Sequence, residues 1–346
     1  MFASETEFVR WLARQSSRRA GGLRLGIGDD AALVMARPGN EIILTTDLSI
    51  ERVHFLPQLH PARAVGHRAL ARSLSDIAAM GGIPRYALIS LAISRSTMKI
   101  WLKEFYAGVS ALARRFAVTV VGGDTAIVNG ATTVDVTVVG EAPKGKAILR
   151  SGARPGDQIF VSGRLGLSAL GLQTIQAGAG RLTAAGTSSK LPDALRAHFY
   201  PEPRCKLGRF LSENKLASAL IDLSDGLSTD LTRLCAASHV GAIIKAGRIP
   251  VPSQGSRGNL SNDDALNLAL NGGEDYELLF AVRPRNVTKL PREFLGVPLN
   301  HIGEVRPGKK IRLSVPGGKE VPLKPAGYDH FRKLIRDLHP RRRQSR

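Results

Sequence analysis

The residues of this chain that could do chemistry are its acids. Aspartate and glutamate are scarce, 29 against 49 lysines and arginines, yet they gather in short clusters beside glycine, serine or threonine. The clusters are Asp29-Asp30, Thr45-Thr46-Asp47, Ser73-Leu74-Ser75-Asp76, Gly122-Gly123-Asp124-Thr125, Asp222-Leu223-Ser224-Asp225-Gly226 and Gly272-Gly273-Glu274-Asp275. Any one of them has an ordinary explanation, since aspartate favours turns and helix caps. Together they ask for more. Two carboxylates about 4 Å apart repel by about 4 kcal/mol at an effective dielectric of 20. A fold that brings them together therefore needs bound cations or raised pKa values. The donors are carboxylate and hydroxyl, with little imidazole and no thiolate, which selects a hard cation, Mg2+ rather than zinc. Clustered magnesium amid glycine turns points to a polyphosphate, most often ATP.

Familiar phosphate motifs fail on their details. Gly140 to Lys146 begins like a P-loop, but Ala147 stands where a magnesium-binding Ser or Thr belongs, Pro143 stiffens the loop and no long helix follows. Gly26-Ile27-Gly28-Asp29-Asp30-Ala31 imitates a dinucleotide fingerprint, but its two aspartates would repel a pyrophosphate and Pro38-Gly39 leaves little room for a helix. Nothing matches a protein-kinase catalytic loop, a nucleophile elbow or zinc spacing.

The elements that must position the acids are legible from periodicity and punctuation. Ser4 and Glu7 form a capping box ahead of Phe8, Trp11 and Leu12. A strand is expected over 41–46, and Pro61 opens a long helix to about Met80, stopped by Gly81-Gly82-Ile83-Pro84. Strand 86–93, helix 97–116 and strand 117–121 lead to a turn at Gly122-Gly123-Asp124-Thr125, and 132–139 alternates as a half-buried strand. Further on, a strand is expected at 158–161, helices at 165–176, 203–219 and 227–237, and strands at 242–245 and 276–282. Strands and helices mix without strict βαβ alternation, so the fold class is α+β. The Gly-, Pro- and Lys-rich stretch 140–156 divides the chain into an N-terminal domain, 1–145, and a C-terminal domain, 146–331. A basic tail, 332–346, reads as a mobile extension.

Composition excludes other classes. Hydrophobic residues make up 43% of the 346 and charged residues 23%, as in soluble globular proteins. No apolar run reaches the length of a membrane-spanning helix, and residues 1–10 do not read as a signal peptide. Two cysteines, Cys205 and Cys235, fit a reducing cytoplasm. The formal charge of +20 suggests nucleic acid. Yet the basic residues are scattered, and aromatics at 5% are too few for a base-stacking groove. Such binding is expected at most incidentally, through Arg341-Arg342-Arg343.

Nine blocks in order resemble the thiamine-monophosphate kinase family. They are Gly26–Ala31, Thr45-Thr46-Asp47, His54-Phe55, Leu74–Gly81, Gly122–Thr125, Arg150–Asp157, Ile221–Gly226, Gly272–Glu277 and Gly327–Phe331. The resemblance implies a two-domain fold of the aminoimidazole ribonucleotide synthetase type, with mixed sheets flanked by helices. It implies a homodimer paired through the N-terminal domains, and phosphorylation of thiamine monophosphate by ATP. On the family's pattern Asp30, Thr45, Thr46, Asp47, Asp76, Asp124, Asp222 and Asp225 would hold several Mg2+ ions. Tyr106, Gly123, Asp124, Arg150 and Ser224 would contact ATP, and His54 and Glu274 the thiamine end of the substrate. No catalytic base is implied. The chain departs from the pattern at Leu323-Lys324-Pro325-Ala326, where the family often has an aromatic. The rivals are sister enzymes of the same fold, whose reactive cysteines have no counterpart here, and a basic nucleic-acid-binding protein.

Overall fold

A computed structural model describes residues 11–14, 22–25, 27, 33–95, 99–179, 191–252 and 260–328. The expected capping box at Ser4, the Asp29-Asp30 pair and the basic tail lie outside them. After a short hairpin, β1 (Leu23–Leu25) and β2 (Leu33–Val34), the first half builds a four-stranded sheet. Its strands are β3 (Asn40–Ile50), β4 (Ile83–Ser94), β5 (Thr119–Val128) and β6 (Thr133–Pro143), in the order β3-β6-β4-β5. Only the β4–β5 pair is parallel. Two helices, α1 (Ala62–Ala79) and α2 (Lys99–Arg115), cover one face.

The second half is a larger sheet. It comprises β7 (Gln158–Ser162), β8 (Ala217–Asp222), β9 (Gly241–Lys245), β10 (Leu278–Val282), β12 (Val297–Arg306), β13 (Ile311–Ser314) and β14 (Glu320–Pro322), ordered β14-β13-β9-β12-β7-β10-β8, with β11 (Glu293–Phe294) paired to β12. Helices α3 (Leu167–Thr174), α4 (Asp193–Phe199), α5 (Cys205–Glu213), α6 (Leu227–Ala237) and α7 (Asn262–Asn271) pack around it. Its central strands are buried on both faces. Leu278, Phe280 and Val282 of β10 point into a core shared with α1 and α5, while Leu279 and Ala281 point into a second core under α6. The α+β class and the two mixed sheets agree with the sequence reading.

Three local expectations are corrected. Gly122-Gly123-Asp124-Thr125 is no turn but lies inside β5. The strand carries a register shift against β4 there, and a Cβ on Gly123 would sit 1.9 Å from the Ile89 carbonyl oxygen. The glycine pair marks a close backbone approach rather than a chain reversal. The helix expected over 203–219 ends at Glu213, and Ala217–Asp222 is a strand. The helix expected over 165–176 narrows to α3 and closes in a π turn at Ile175–Ala179.

Helix α1 joins the two halves. Its residues from Ala64 to Ala79 are nearly all buried, including His67, Arg68, Ser73 and Ser75. Its sequence is correspondingly rich in alanine and has only a weakly polar side. Close packing is bought with glycine: a Cβ on Gly66 would lie 2.0 Å from the Phe105 carbonyl, and one on Gly208 of α5 would lie 2.0 Å from that of Ala78. Across the halves, His67 Nε2 meets the Pro201 carbonyl at 2.8 Å and Cys205 Sγ donates to that of Leu74 at 3.3 Å. Gly66→Ala should overpack the α1–α2 contact and cost about 1–3 kcal/mol, read as a lower urea midpoint with an unchanged slope.

Candidate functional site

Four of the acidic clusters meet along one seam between the halves. On β3 the side chains alternate, so Thr45 and Asp47 turn toward α1 while Thr46 turns away. On α1, Arg68, Arg72 and Asp76 are spaced four apart and share one face of the helix. The Thr45 hydroxyl donates to Asp76, and Ser73 Oγ donates to Asp47 at 3.0 Å. The last residue of β8, Asp222, completes the group from the other half, accepting a 2.7 Å hydrogen bond from Ser75 Oγ.

Two turns of the second half are tied side by side. Glu274 donates its backbone N–H to the Ser224 carbonyl at 2.8 Å, Tyr276 to that of Leu223 at 2.9 Å, and Leu223 to that of Glu277 at 2.8 Å. Asp230 Oδ2 accepts the N–H groups of Ser224 and Asp225 at 3.1 and 3.0 Å, and Arg233 joins Asp225 to Asp230. Glu274 and Tyr276 are held at φ 65° and 51°, a left-handed conformation that costs a non-glycine residue of order 1–3 kcal/mol. Asp275 between them anchors the loop, accepting the Gly166 N–H at 2.7 Å and that of Ser168 at 3.3 Å.

The result is a cleft of about 470 Å3. Asp47, Asp76, Asp222 and Asp225 supply its carboxylate wall, with Ser224 beside them. Val53, Phe55, Leu56, Ala169 and Leu172 supply an apolar wall, along which lie His54, Ser168, His198 and Glu274. Tyr328 also lines the cleft, and its N–H donates to the Asp225 carbonyl at 3.1 Å. His54 is set by a turn in which its Nδ1 accepts the Ile50 N–H at 3.0 Å.

Electrostatics distinguish the two walls. Burial raises the pKa of Asp76, and Asp47 raises it further, against the pull of Thr45, Arg150 and Arg72. Asp47 is raised by burial as well. Asp222 is pushed up to about 8, by burial first and then by Asp76. Glu274 goes the other way. Burial alone would raise it, but Arg68, 2.5 Å from its Oε2, and Arg72 hold it at about 2. It is an ion-paired carboxylate, whereas the aspartates are raised by burial first and then by one another's charge.

The all-oxygen donor set fits a hard cation, whose charge would offset the burial and mutual repulsion that raise these aspartates. Among the described residues, no three acids, histidines or cysteines enclose a point by themselves. That suits Mg2+, which takes one or two carboxylates and completes its shell with water and phosphate oxygens.

Several expected site residues are not brought here. Asp30 lies outside the described residues. The Thr46 hydroxyl sits on the opposite face of the sheet, 2.7 Å from Asp135 Oδ1 and 3.1 Å from Thr137, because alternate strand residues face opposite ways. Tyr106 is 1% exposed in the α1–α2 core, edge-on to Trp11 and Phe105 at 5.8 and 5.2 Å, so it does not line the cleft as a nucleotide platform. Gly123 and Asp124 lie on β5, three strands and about 14 Å from β3. The Asp124 carboxylate caps the Thr125 N–H at 2.8 Å. Arg150 is exposed outside the cleft lining, near enough for its charge to lower Asp76. Conversely, the reading of the sequence missed Arg68, Arg72, Ser168 and His198. For the arginines a signal existed, the four-residue spacing that puts Arg68 and Arg72 on the face of Asp76.

Comparison with known proteins matches two family models. They are AIR synthase related protein, N-terminal domain, over residues 28–142, and AIR synthase related protein, C-terminal domain, over 154–316. The thiamine-monophosphate kinase of Bacillus subtilis (strain 168) is 37% identical over 311 residues, 89% of this chain and 94% of its own. The crystal structure of thiamine-monophosphate kinase from Stenotrophomonas maltophilia K279a superposes with a TM-score of 0.78 at 34% identity, covering 90% of this chain and 96% of its own. AaThiL complexed with AMPPCP and TMP superposes with a TM-score of 0.71 at 29% identity, covering 94% and 97%.

The raised aspartates give a stability prediction. An acid whose folded pKa lies above its unfolded value is destabilising once the unfolded chain can ionise, and the penalty grows until the folded group ionises too. For Asp222 that window runs from about pH 4 to about pH 8. In metal-free protein Asp222→Asn should raise the melting temperature, with a gain that grows from pH 5 to pH 8 and levels off above. Scanning calorimetry across that range checks it.

Proposed function

Because the chain belongs to the thiamine-monophosphate kinase family, we propose that it transfers the γ-phosphoryl group of ATP to the phosphate of thiamine monophosphate, giving ADP and thiamine diphosphate. The observation that carries this is one cleft lined both by aspartates and by apolar side chains, with Glu274 among them. The aspartates suit phosphates and their counter-ions, and the apolar side chains with Glu274, kept ionised by Arg68, suit a cationic ring.

The chemistry asks little of a base. The attacking atom is a phosphate oxygen that is already anionic at neutral pH, so no general base is assigned. The obstacle is bringing one anion in line with a polyanion. Magnesium, when bound, supplies the neutralising charge that phosphoryl transfer needs. Asp47, Asp76, Asp222 and Asp225 with the Thr45 hydroxyl would hold it, joined on the family's pattern by Asp30 and Asp124. Ser224, Gly123, Asp124 and Arg150 are the proposed ATP contacts. His54 and Glu274 hold the thiamine end, where Glu274 faces the thiazolium cation and Arg68 keeps its carboxylate in place.

The proposal extends to organisation. The chain divides into domains 1–145 and 146–331 with a tail at 332–346, and it works in the cytoplasm. No helix among the described residues is long and apolar enough to cross a membrane. It acts as a homodimer through the N-terminal sheet. The support is the sheet face opposite α1 and α2, where β3 leaves Ile42 47%, Leu44 69% and Leu48 50% exposed in one row, more apolar surface than a lone domain usually shows to water.

Phosphorus NMR of protein with Mg-ATP and thiamine monophosphate should give thiamine diphosphate and ADP, and none with EDTA. Absence of product from folded, nucleotide-binding protein would refute the reading. Asp76→Asn should lower kcat by at least 100-fold while the protein stays folded; full activity would sink the metal assignment. Leu44→Arg should turn a dimer into a monomer by analytical ultracentrifugation.

A further inference from the structure

Behind Glu274 a chain of hydrogen bonds crosses from one half of the molecule to the other, and its members fix one another's protons. Arg68 can only donate, and its NH1 lies 3.1 Å from His198 Nε2. That nitrogen therefore carries no proton, and the neutral ring bears its proton on Nδ1. His60 Nε2 stands 3.0 Å from the same bare nitrogen, so it must be the protonated position of its own ring. His60 Nδ1 lies 3.1 Å from both the N–H and the carbonyl oxygen of Leu56, and with the proton on Nε2 it takes the acceptor role toward the N–H. Burial and the Arg68 charge keep both rings neutral, holding His60 at about 4 and His198 at about 2.

The end of the chain is Ser168. His198 Nδ1–H donates to Ser168 Oγ at 3.1 Å, so the serine oxygen serves as acceptor on that side. Its own proton has no acceptor among the described residues. Ser168 is 1% exposed, yet it is among the residues that line the cleft, with Ala169 and Leu172 of the same helix. A buried hydroxyl with an unspent proton costs free energy unless a ligand takes it.

We infer that Ser168 is a specificity-determining residue, whose hydroxyl is held as a hydrogen-bond donor to a ring nitrogen of the substrate's aminopyrimidine. This rests on the proposed substrate, and the substrate's chemistry selects the atom. The quaternary thiazolium nitrogen has no lone pair, the ring sulfur is a poor acceptor and the exocyclic amine is a donor. The phosphate belongs at the carboxylate wall with its cations. The pyrimidine ring nitrogens are the good acceptors left for the apolar end. Glu274 and Ser168 then divide the labour, one meeting the cation and the other reading the second ring, and Arg68 bonds to both the Glu274 carboxylate and His198.

The test compares wild type with Ser168→Ala on thiamine monophosphate and on its two deaza analogues, in which one or the other pyrimidine nitrogen is replaced by CH. Ser168→Ala should raise KM for thiamine monophosphate about 10-fold, with kcat and KM for ATP within twofold. One of the two deaza analogues should bind wild type about 10-fold more weakly than thiamine monophosphate does, and bind Ser168→Ala no worse than thiamine monophosphate does. An unchanged KM in Ser168→Ala, or equal losses for the deaza analogues in both proteins, would overturn the assignment. If Ser168→Ala does not fold, Ser168→Cys keeps the volume with a weaker donor, and a smaller rise in KM supports the inference while none refutes it. Wild type that fails to turn over thiamine monophosphate defeats the proposed function instead, so the two failures are distinct.

Discussion

A group of carboxylates that repel one another has to be held in place from outside, and in this molecule helix α1 does the holding. Asp76 is its own residue, Asp47 is held by its Ser73 and faces its Arg72, and Asp222 is held by its Ser75. Its buried position between the two sheets makes that possible. A helix with solvent on one side could let its acids swing apart, whereas α1 is packed against α2 by Gly66 and against α5 by Gly208. The close glycine contacts and the raised aspartates are two sides of one constraint. Packing energy spread over the core is spent on keeping charge concentrated at the seam.

The opposite wall is organised by backbone rather than by packing. The turns at Asp222–Gly226 and Gly272–Tyr276 hydrogen-bond to each other through their main chains. Asp230 and Asp275, neither of which the proposed chemistry uses, consume their carboxylates on backbone N–H groups of the loops that carry the working residues. Left-handed backbone at Glu274 and Tyr276 is tolerated because both flanks are pinned. Glu274 thus arrives at the cleft with a fixed direction, and Arg68 keeps it ionised where burial would otherwise neutralise it.

Much of this was legible in the sequence, and the limits are physical. Long strongly patterned elements such as α1, α2 and β4 read correctly because periodicity and Gly or Pro punctuation agree there. The Gly122-Gly123 pair misled, since glycine marks a close backbone approach inside β5 as readily as it marks a turn. Residues 217–219 read as the end of a helix because a largely buried strand loses the alternation that would identify it. Asp47, Asp76, Asp222 and Asp225, which stand out chemically in an acid-poor chain, do line one cleft. Thr46 and Tyr106 show the converse: sequence places a residue beside a site without saying which way its side chain points. Ser168 and His198 carried no signal at all, because their significance lies in contacts 30 residues apart.

The charge of the chain takes its meaning from this geometry. A surface with 20 excess positive charges draws polyanions, but the carboxylate wall would turn a bare polyphosphate away. The two are reconciled when cations accompany the phosphates. Long-range attraction brings the anion in, and the short-range field of Asp47, Asp76 and Asp222 admits it only with its counter-ions. At the other end Glu274, kept ionised by its pair with Arg68, offers a carboxylate that the proposed cationic ring can meet. An organic cation joined to a phosphate is the ligand that the proposed reaction would bring to these two groups of residues, in a cleft of about 470 Å3. That pair of conditions narrows the chemistry more than the fold does, because the fold alone fixes only where the two walls stand.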